Sequence, residues 1–133
     1  MNVVWAATAW ESRRFDAVER ESHPADLEDR FDALRSRGEG YLEVRRPGSG
    51  YPLLALGFRG GDAVVHLFRG AEETFLLTGD GTVGADTVVE VPVMDDLAAF
   101  GGAFVLAVDR AWAVVRDFVR TGATGDPGEW REL

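Results

Sequence analysis

The segment from Phe104 to Leu133, FVLAVDRAWAVVRDFVRTGATGDPGEWREL, decides the fold that we predict for this chain. Its first part places apolar side chains at helical spacing, and together they form one stripe: Val108, Ala111, Trp112, Val115, Phe118 and Val119. Arg120 and Gly122 follow at the end of that stripe, which is the usual chemistry of a helix C-terminus. We therefore predict an amphipathic helix packed on a sheet, followed by a short tail that carries Trp130.

Upstream of this segment, the sequence predicts a hairpin and a second helix. Val3–Trp10 and Arg14–Val18 show the alternation expected of two short strands that turn back on each other. Pro24–Arg37 predicts a helix, because proline suits a first turn and Gly38 follows the last one. The residues expected on its buried side are Leu27, Phe31 and Leu34.

Beyond Gly40 the hydrophobic period changes to two, which predicts strands. The predicted strands are Tyr41–Arg46, Pro52–Arg59, Ala63–Arg69, Glu73–Leu77 and Val88–Val93. The pair Gly60-Gly61 predicts a tight hairpin, because both residues accept a positive φ. Asp95–Gly102 is predicted to be irregular, and Phe104–Leu106 is predicted to be a last short strand.

The order of these segments predicts an α+β fold in a single domain, residues 1–133. We expect an antiparallel meander of about five to seven strands with two helices packed on it as one pair of layers. A chain of 133 residues is long enough to bury one sizeable core.

Composition excludes several classes of protein. Hydrophobic residues make up 46% of the chain and charged residues 28%, which is typical of a globular domain and not of a disordered one. The sequence has no cysteine, so it forms no disulfide or thiolate metal site. We expect no signal peptide, no membrane partner and a cytoplasmic location.

The charge of the chain is strongly negative and unevenly distributed. A net charge of −9 argues against binding to nucleic acid, because phosphate contacts need a basic surface. Residues 70–109 contain eight carboxylates and no arginine, whereas residues 1–69 and 110–133 are close to neutral. This acidic stretch therefore holds nearly all of the excess negative charge, and solvation of loops is the alternative explanation for it.

We find no residue pattern that predicts catalysis or metal binding. The two histidines, His23 and His66, have no metal-ligand partner at short spacing. The adjacent pairs Glu72-Glu73 and Asp95-Asp96 make poor acid/base couples, because neighbouring residues on a strand point to opposite faces. We therefore predict no catalytic residue, no metal, no cofactor and no enzymatic activity.

The motif Phe118-x-x-Thr121-Gly122, followed by seven residues and Trp130, resembles the C-terminal signature of immunity protein family 1 of bacterial polymorphic toxin systems. The order of elements over roughly residues 2–133 resembles that family as well. The family has an Arg-Pro pair and an apolar residue where this chain has Thr124-Gly125 and Gly128. The resemblance implies a protein that takes part in interbacterial competition by neutralising a secreted toxin. Several of the toxins that this family neutralises are nucleic-acid deaminases.

This resemblance implies a cognate toxin domain as the protein partner, bound so that its active site is occluded. An acidic patch suits the basic cleft of a toxin that acts on nucleic acid, because complementary charge speeds association. From the acidic stretch we select Glu72, Glu73, Asp95 and Asp96 as candidates for toxin contact. The chain is expected to be a monomer or a weak dimer. The alternative function is a small-ligand or regulatory binding domain of α+β type without catalysis.

The tail adds two further candidates, Glu129 and Trp130. A tryptophan flanked by charged residues is typical of an interface hot spot. The alternative is that Trp130 anchors the tail by packing back on the sheet. The sequence leaves both possibilities open.

Overall fold

The structure is a computed structural model that describes residues 1–125 and 127–133. These residues form two helices, α1 (Pro24–Arg37) and α2 (Val108–Thr121), and a 3₁₀ turn that spans Gly102–Phe104. The strands are β1 (Val3–Thr8), β2 (Phe15–Ser22), β3 (Glu39–Arg45), β4 (Leu53–Arg59), β5 (Asp62–Gly70), β6 (Glu73–Leu77), β7 (Val88–Val93), β8 (Asp96–Gly101), β9 (Leu106–Ala107) and β10 (Trp130–Glu132).

Seven of these strands pair in the order β2–β1–β3–β4–β5–β6–β10, and β9 adds to β5. All of these pairings are antiparallel. The meander from β3 to β6 and the hairpin at Gly60-Gly61 are as predicted. The tail returns as β10 beside β6, a strand that the sequence analysis did not predict. The predicted class, an antiparallel sheet with two helices packed on it, is confirmed.

Both helices pack on the same face of the sheet and form the main core. The predicted stripe of α2 is buried at every position, and so are Leu27, Phe31 and Leu34 of α1. The rings of Phe31 and Trp112 stack face to face with centroids 4.1 Å apart, which joins the two helices. Aromatic stacking adds to the free energy that burial of these large side chains contributes.

The opposite face of the sheet is covered by the β7–β8 hairpin, which forms a second, two-stranded sheet. Val91 packs with Val64 and Leu76 in a smaller core between the hairpin and the main sheet. Gly57 permits this contact, because a Cβ at that position would overlap the carbonyl oxygen of Pro92. The hairpin therefore adds a third layer to the predicted sheet and helices.

Two local predictions are wrong. Asp95–Gly102 was expected to be irregular, but Asp96–Gly101 is strand β8, in which Ala98 and Phe100 are half-buried while Leu97 and Ala99 are exposed. Phe104–Leu106 was expected to be a strand, but the N–H of Val105 closes the 3₁₀ turn on the carbonyl of Gly102. Strand pairing consequently starts only at Leu106, opposite Ala63.

Candidate protein-binding cleft

A cleft of about 270 Å³ opens where four chain segments meet at one end of the sheet. These segments are the β1–β2 turn, the end of α1, the start of β3 and the β7–β8 turn. We call it the turn cleft, and its lining residues are Thr8, Arg13, Arg37, Glu39, Gly40, Pro92, Met94, Asp95, Asp96 and Leu97. A shallower groove continues from it along Trp10, Glu11 and Ser36 and shares Arg13 and Arg37 with it.

The turns on the two sides of the cleft are held in unusual backbone conformations. Arg13 and Met94 have φ angles of 62° and 58°, and they are the non-glycine residues with positive φ in the part of the chain that the structure describes. Such conformations are costly for residues with a Cβ and concentrate at functional sites. The Oδ1 atom of Asp95 accepts the N–H of Phe15 at 2.7 Å, which ties one turn to the other. The walls of the cleft are therefore fixed relative to each other.

The last turn of α1 places Arg37 against Trp10 at the mouth of the cleft. The guanidinium carbon of Arg37 lies 3.8 Å from the centre of the Trp10 ring, and Nη2 donates a hydrogen bond to the Trp10 carbonyl oxygen. The buried Nη1 of Arg37 finds no hydrogen-bond partner among the described residues. Trp10 itself remains 51% exposed. Arg37 thus holds an exposed tryptophan in a fixed orientation, which lowers the entropy that a binding partner must overcome.

Exposed apolar side chains gather around the same cleft. Met94 is 53% exposed and Leu97 is 48% exposed, and both line the cleft beside the groove of Trp10. The other large exposed apolar residues of the described chain are Met1, Val18, Tyr51, Val88 and Leu133, none of which lines the cleft. Tryptophan, methionine and arginine are enriched at the centres of protein interfaces. The turn cleft therefore has the composition of a protein-binding hot spot.

Three carboxylates line this cleft, those of Glu39, Asp95 and Asp96. In the described residues, none of them forms an ion pair with Arg13 or Arg37. Charged groups that are not yet paired within the chain are free to pair across an interface, where they set orientation and specificity.

The six residues predicted to contact a toxin lie in three separate places. Asp95 and Asp96 line the turn cleft. Glu72 and Glu73 lie at the β5–β6 turn, which the nine residues of β5 separate from the cleft end of the sheet by roughly 30 Å. The third place, the start of β10, lies at the edge of the sheet far from β1 and β2.

That third place holds Glu129 and Trp130. The ring of Trp130 is half-buried and packs against the helix-side core, and its Nε1 is buried with no partner in the described part of the chain. Glu129 is exposed, and its carbonyl oxygen accepts the N–H of Thr78 at 2.8 Å. These contacts hold the tail against the sheet edge.

Two other carboxylates of the acidic stretch serve the fold. Burial tends to raise the pKa of Asp80, but hydrogen bonds from Thr82 and from the N–H of Ala107 outweigh it, and the pKa is lowered. Asp109 pairs with Arg35, which lowers the pKa of Asp109 and joins the start of α2 to the end of α1. The acidic stretch is therefore not one continuous face.

Two titratable groups outside the cleft, His66 and Tyr41, have pKa values that burial shifts. Burial lowers the pKa of His66, whose ring lies beside Phe68 and Phe100. Burial also raises the pKa of Tyr41, and the Glu43 carboxylate that accepts its hydroxyl hydrogen raises it further. Among the described residues, no group of three or more histidine, aspartate and glutamate side chains is arranged to hold a metal ion.

Of the residues at the cleft and its groove, Asp95 and Asp96 could be selected from the sequence, whereas Trp10, Arg13, Arg37, Met94 and Leu97 were not predicted. The signal available for Trp10 was its position at the end of the first predicted strand, just before the turn of the hairpin, where a tryptophan has little core to enter. No signal linked it to Met94, which is 84 residues away in the chain.

In comparisons with known proteins, the chain matches no family model and no curated protein. No helix in the described ranges is both long enough and apolar enough to cross a membrane.

Proposed function

We propose that this chain is an immunity protein that binds a cognate toxin domain through the turn cleft and blocks the active site of that toxin. The observation that carries the proposal is Trp10, half exposed and held by Arg37, next to the exposed side chains of Met94 and Leu97. The resemblance of the C-terminal motif to the immunity family supports the same function and suggests a toxin that acts on nucleic acid, such as a deaminase.

The proposed mechanism is steric occlusion in the cytoplasm of the producing cell, without catalysis and without a cofactor. Asp95 and Asp96 stand beside the apolar residues of the cleft, so a toxin with a basic substrate groove would meet both apolar and charged partners there. Apolar contacts would supply most of the affinity, and the carboxylates would supply orientation and a faster association.

The alternative function, binding of a small ligand, has weaker support in the same cleft. Its volume of about 270 Å³ lies below the roughly 300–1,000 Å³ of typical small-molecule sites. Its walls also carry five charged side chains and few buried apolar ones, whereas small-molecule sites are mostly apolar.

Co-expression tests the proposal. The proposal expects a gene for a large secreted toxin beside this chain's gene. The C-terminal domain of that toxin is expressed in a host cell with and without the chain, and survival is scored. We expect survival only with the chain, and a stable complex of the two purified proteins in calorimetry. If cells die equally in both cases and calorimetry detects no complex, the proposed function is wrong.

A further inference from the structure

We infer that the toxin contributes an extended segment that adds to the free edge of β8 and places a basic side chain beside Asp95 and Asp96. This inference rests on the proposed function and specifies how the toxin binds. Addition of a strand to an open sheet edge is a common way for one protein to recognise another.

The hydrogen-bond pattern of the hairpin shows which backbone groups of β8 point outward. Gly102 donates its N–H to the carbonyl of Thr87, while the N–H of Thr87 donates to Gly84. The single bond gives Gly102 and Thr87 the position of a hydrogen-bonded pair at the end of the hairpin. Hydrogen-bonded and non-hydrogen-bonded pairs alternate along antiparallel strands. With the constant register of β7 and β8, Ala98 and Phe100 bond to β7, whereas Leu97 and Ala99 turn their N–H and C=O groups away from it.

The outer edge of β8 is open among the described residues, since the small sheet contains only β7 and β8. The outer edge of β7 is less suited to pairing, because Pro92 has no N–H and its carbonyl oxygen lies against Gly57. Within the hairpin, β8 therefore offers the available edge.

The side chains of β8 also suit pairing with another strand. The run from Leu97 to Phe104 contains no charged residue, and Ala98, Ala99 and Gly101 are small. By contrast β2, at one edge of the main sheet, carries four charges in eight residues, and β10, at the other edge, has only three residues. Charged and short edge strands resist pairing with foreign strands, and β8 has six residues and a single charge, Asp96 at its start.

The edge of β8 is continuous with the turn cleft. Leu97 lines the cleft and is also the first residue of β8 with outward backbone groups. Asp95 and Asp96 come directly before it. A strand that pairs with Leu97 and Ala99 would therefore bring its next side chains to these two carboxylates. Charge complementarity favours arginine or lysine at that place.

The inference is tested by amide hydrogen exchange of the ¹⁵N-labelled chain. Exchange is measured for the free chain and for its complex with the toxin domain used in the co-expression test. In the free chain we expect the amides of Ala98 and Phe100 to exchange slowly and those of Leu97 and Ala99 to exchange fast. In the complex we expect Leu97 and Ala99 to become protected by about tenfold or more, as hydrogen-bonded strand amides are.

A matched pair of variants gives a second measurement. Ala99→Pro removes an outward N–H without removing a bond to β7, and it should weaken toxin binding by about tenfold. Ala99→Val keeps the N–H and should bind within about twofold of the natural chain. Thermal melts test whether both variants fold. If Ala99→Pro does not fold, the hydrogen-exchange experiment alone decides whether a strand adds to β8.

The outcomes separate the two proposals. If the toxin domain binds while Leu97 and Ala99 exchange as fast as before, strand addition is wrong and the proposed function stands. If the toxin domain does not bind at all, the proposed function fails and this inference fails with it.

Discussion

At the scale of single residues, the contact between Arg37 and Trp10 is the feature on which the proposed function depends. Arg37 uses both its π-face contact and its Nη2 hydrogen bond to fix Trp10, so the aromatic ring stays exposed. An exposed ring contributes nothing to the core. Its large apolar surface becomes useful only when a partner covers it.

We predict that Trp10→Ala weakens toxin binding by about 2 kcal/mol, or roughly 30-fold, because truncation of an interface tryptophan removes a hot spot. The free energy of unfolding should fall by only about 1 kcal/mol, because the ring lies outside the core and loses little more than its cation–π contact with Arg37. Calorimetry and urea melts measure the two quantities. Tyr51→Ala is the matched control, because Tyr51 is a 44% exposed aromatic residue away from the cleft, and it should leave binding unchanged. Equal losses in the two variants would contradict this prediction.

A second residue, His66, links stability to pH. Burial lowers its pKa below the unfolded value of 6.5, so the unfolded chain binds the proton more readily. The stability contributed by neutral His66 is present above pH 6.5 and is lost as the pH falls through its folded pKa. Urea melts should show that His66→Phe loses less stability than the natural chain when the pH falls from 7.5 to 5.5. This variant keeps an aromatic ring beside Phe68. Equal losses of stability in His66→Phe and in the natural chain would contradict this prediction.

At the scale of elements, the residues of the C-terminal motif hold the end of the chain together. Phe118 lies in the last turns of α2, and its side chain is buried in the core. Gly122 ends the helix with φ of 76°, and its N–H donates to the Phe118 carbonyl. Trp130 pairs opposite Leu77 and starts β10. The motif thus specifies how a helix stops and how the tail returns to the sheet. The turn cleft lies elsewhere, at the end of the sheet where β1 turns into β2.

We predict that Phe118→Ala lowers the free energy of unfolding by about 3–5 kcal/mol, because it empties a large volume in a closed core. Arg116→Ala, on the exposed side of the same helix, should cost less than about 0.5 kcal/mol. Urea melts of the two variants check the orientation of α2. Similar stabilities would contradict the assignment of the buried stripe.

The helices and most strands could be predicted because their signals are local. The spacing from Val108 to Val119 and the glycines at 60 and 61 act within one element, so they can be recognised without a partner. Strand β8 was missed because its turn uses Met94 in a left-handed conformation where glycine would be expected. The cleft was missed in part because its two sides are joined by the contact of Asp95 with Phe15, 80 residues apart in the chain.

At the scale of the whole molecule, the net charge of −9 is spread over several surfaces rather than collected on one. Asp80 and Asp109 are occupied by contacts within the chain, and Glu72 and Glu73 lie far from Asp95 and Asp96. Screening over about 8 Å at physiological salt separates the fields of groups this far apart. The position of a carboxylate should therefore matter more than the total charge.

The most direct measurement of the central claim, toxin binding at the turn cleft, compares two equal changes of charge. Asp96→Lys alters the cleft, and Glu73→Lys alters the distant β5–β6 turn; Asp95 is left intact because it holds the two turns together. Association rates with the toxin domain are measured by stopped-flow at low and high salt. We predict that Asp96→Lys slows association and flattens its salt dependence, and that Glu73→Lys has little effect. Slower association with Glu73→Lys and an unchanged rate with Asp96→Lys would contradict the account and place the toxin elsewhere on the chain.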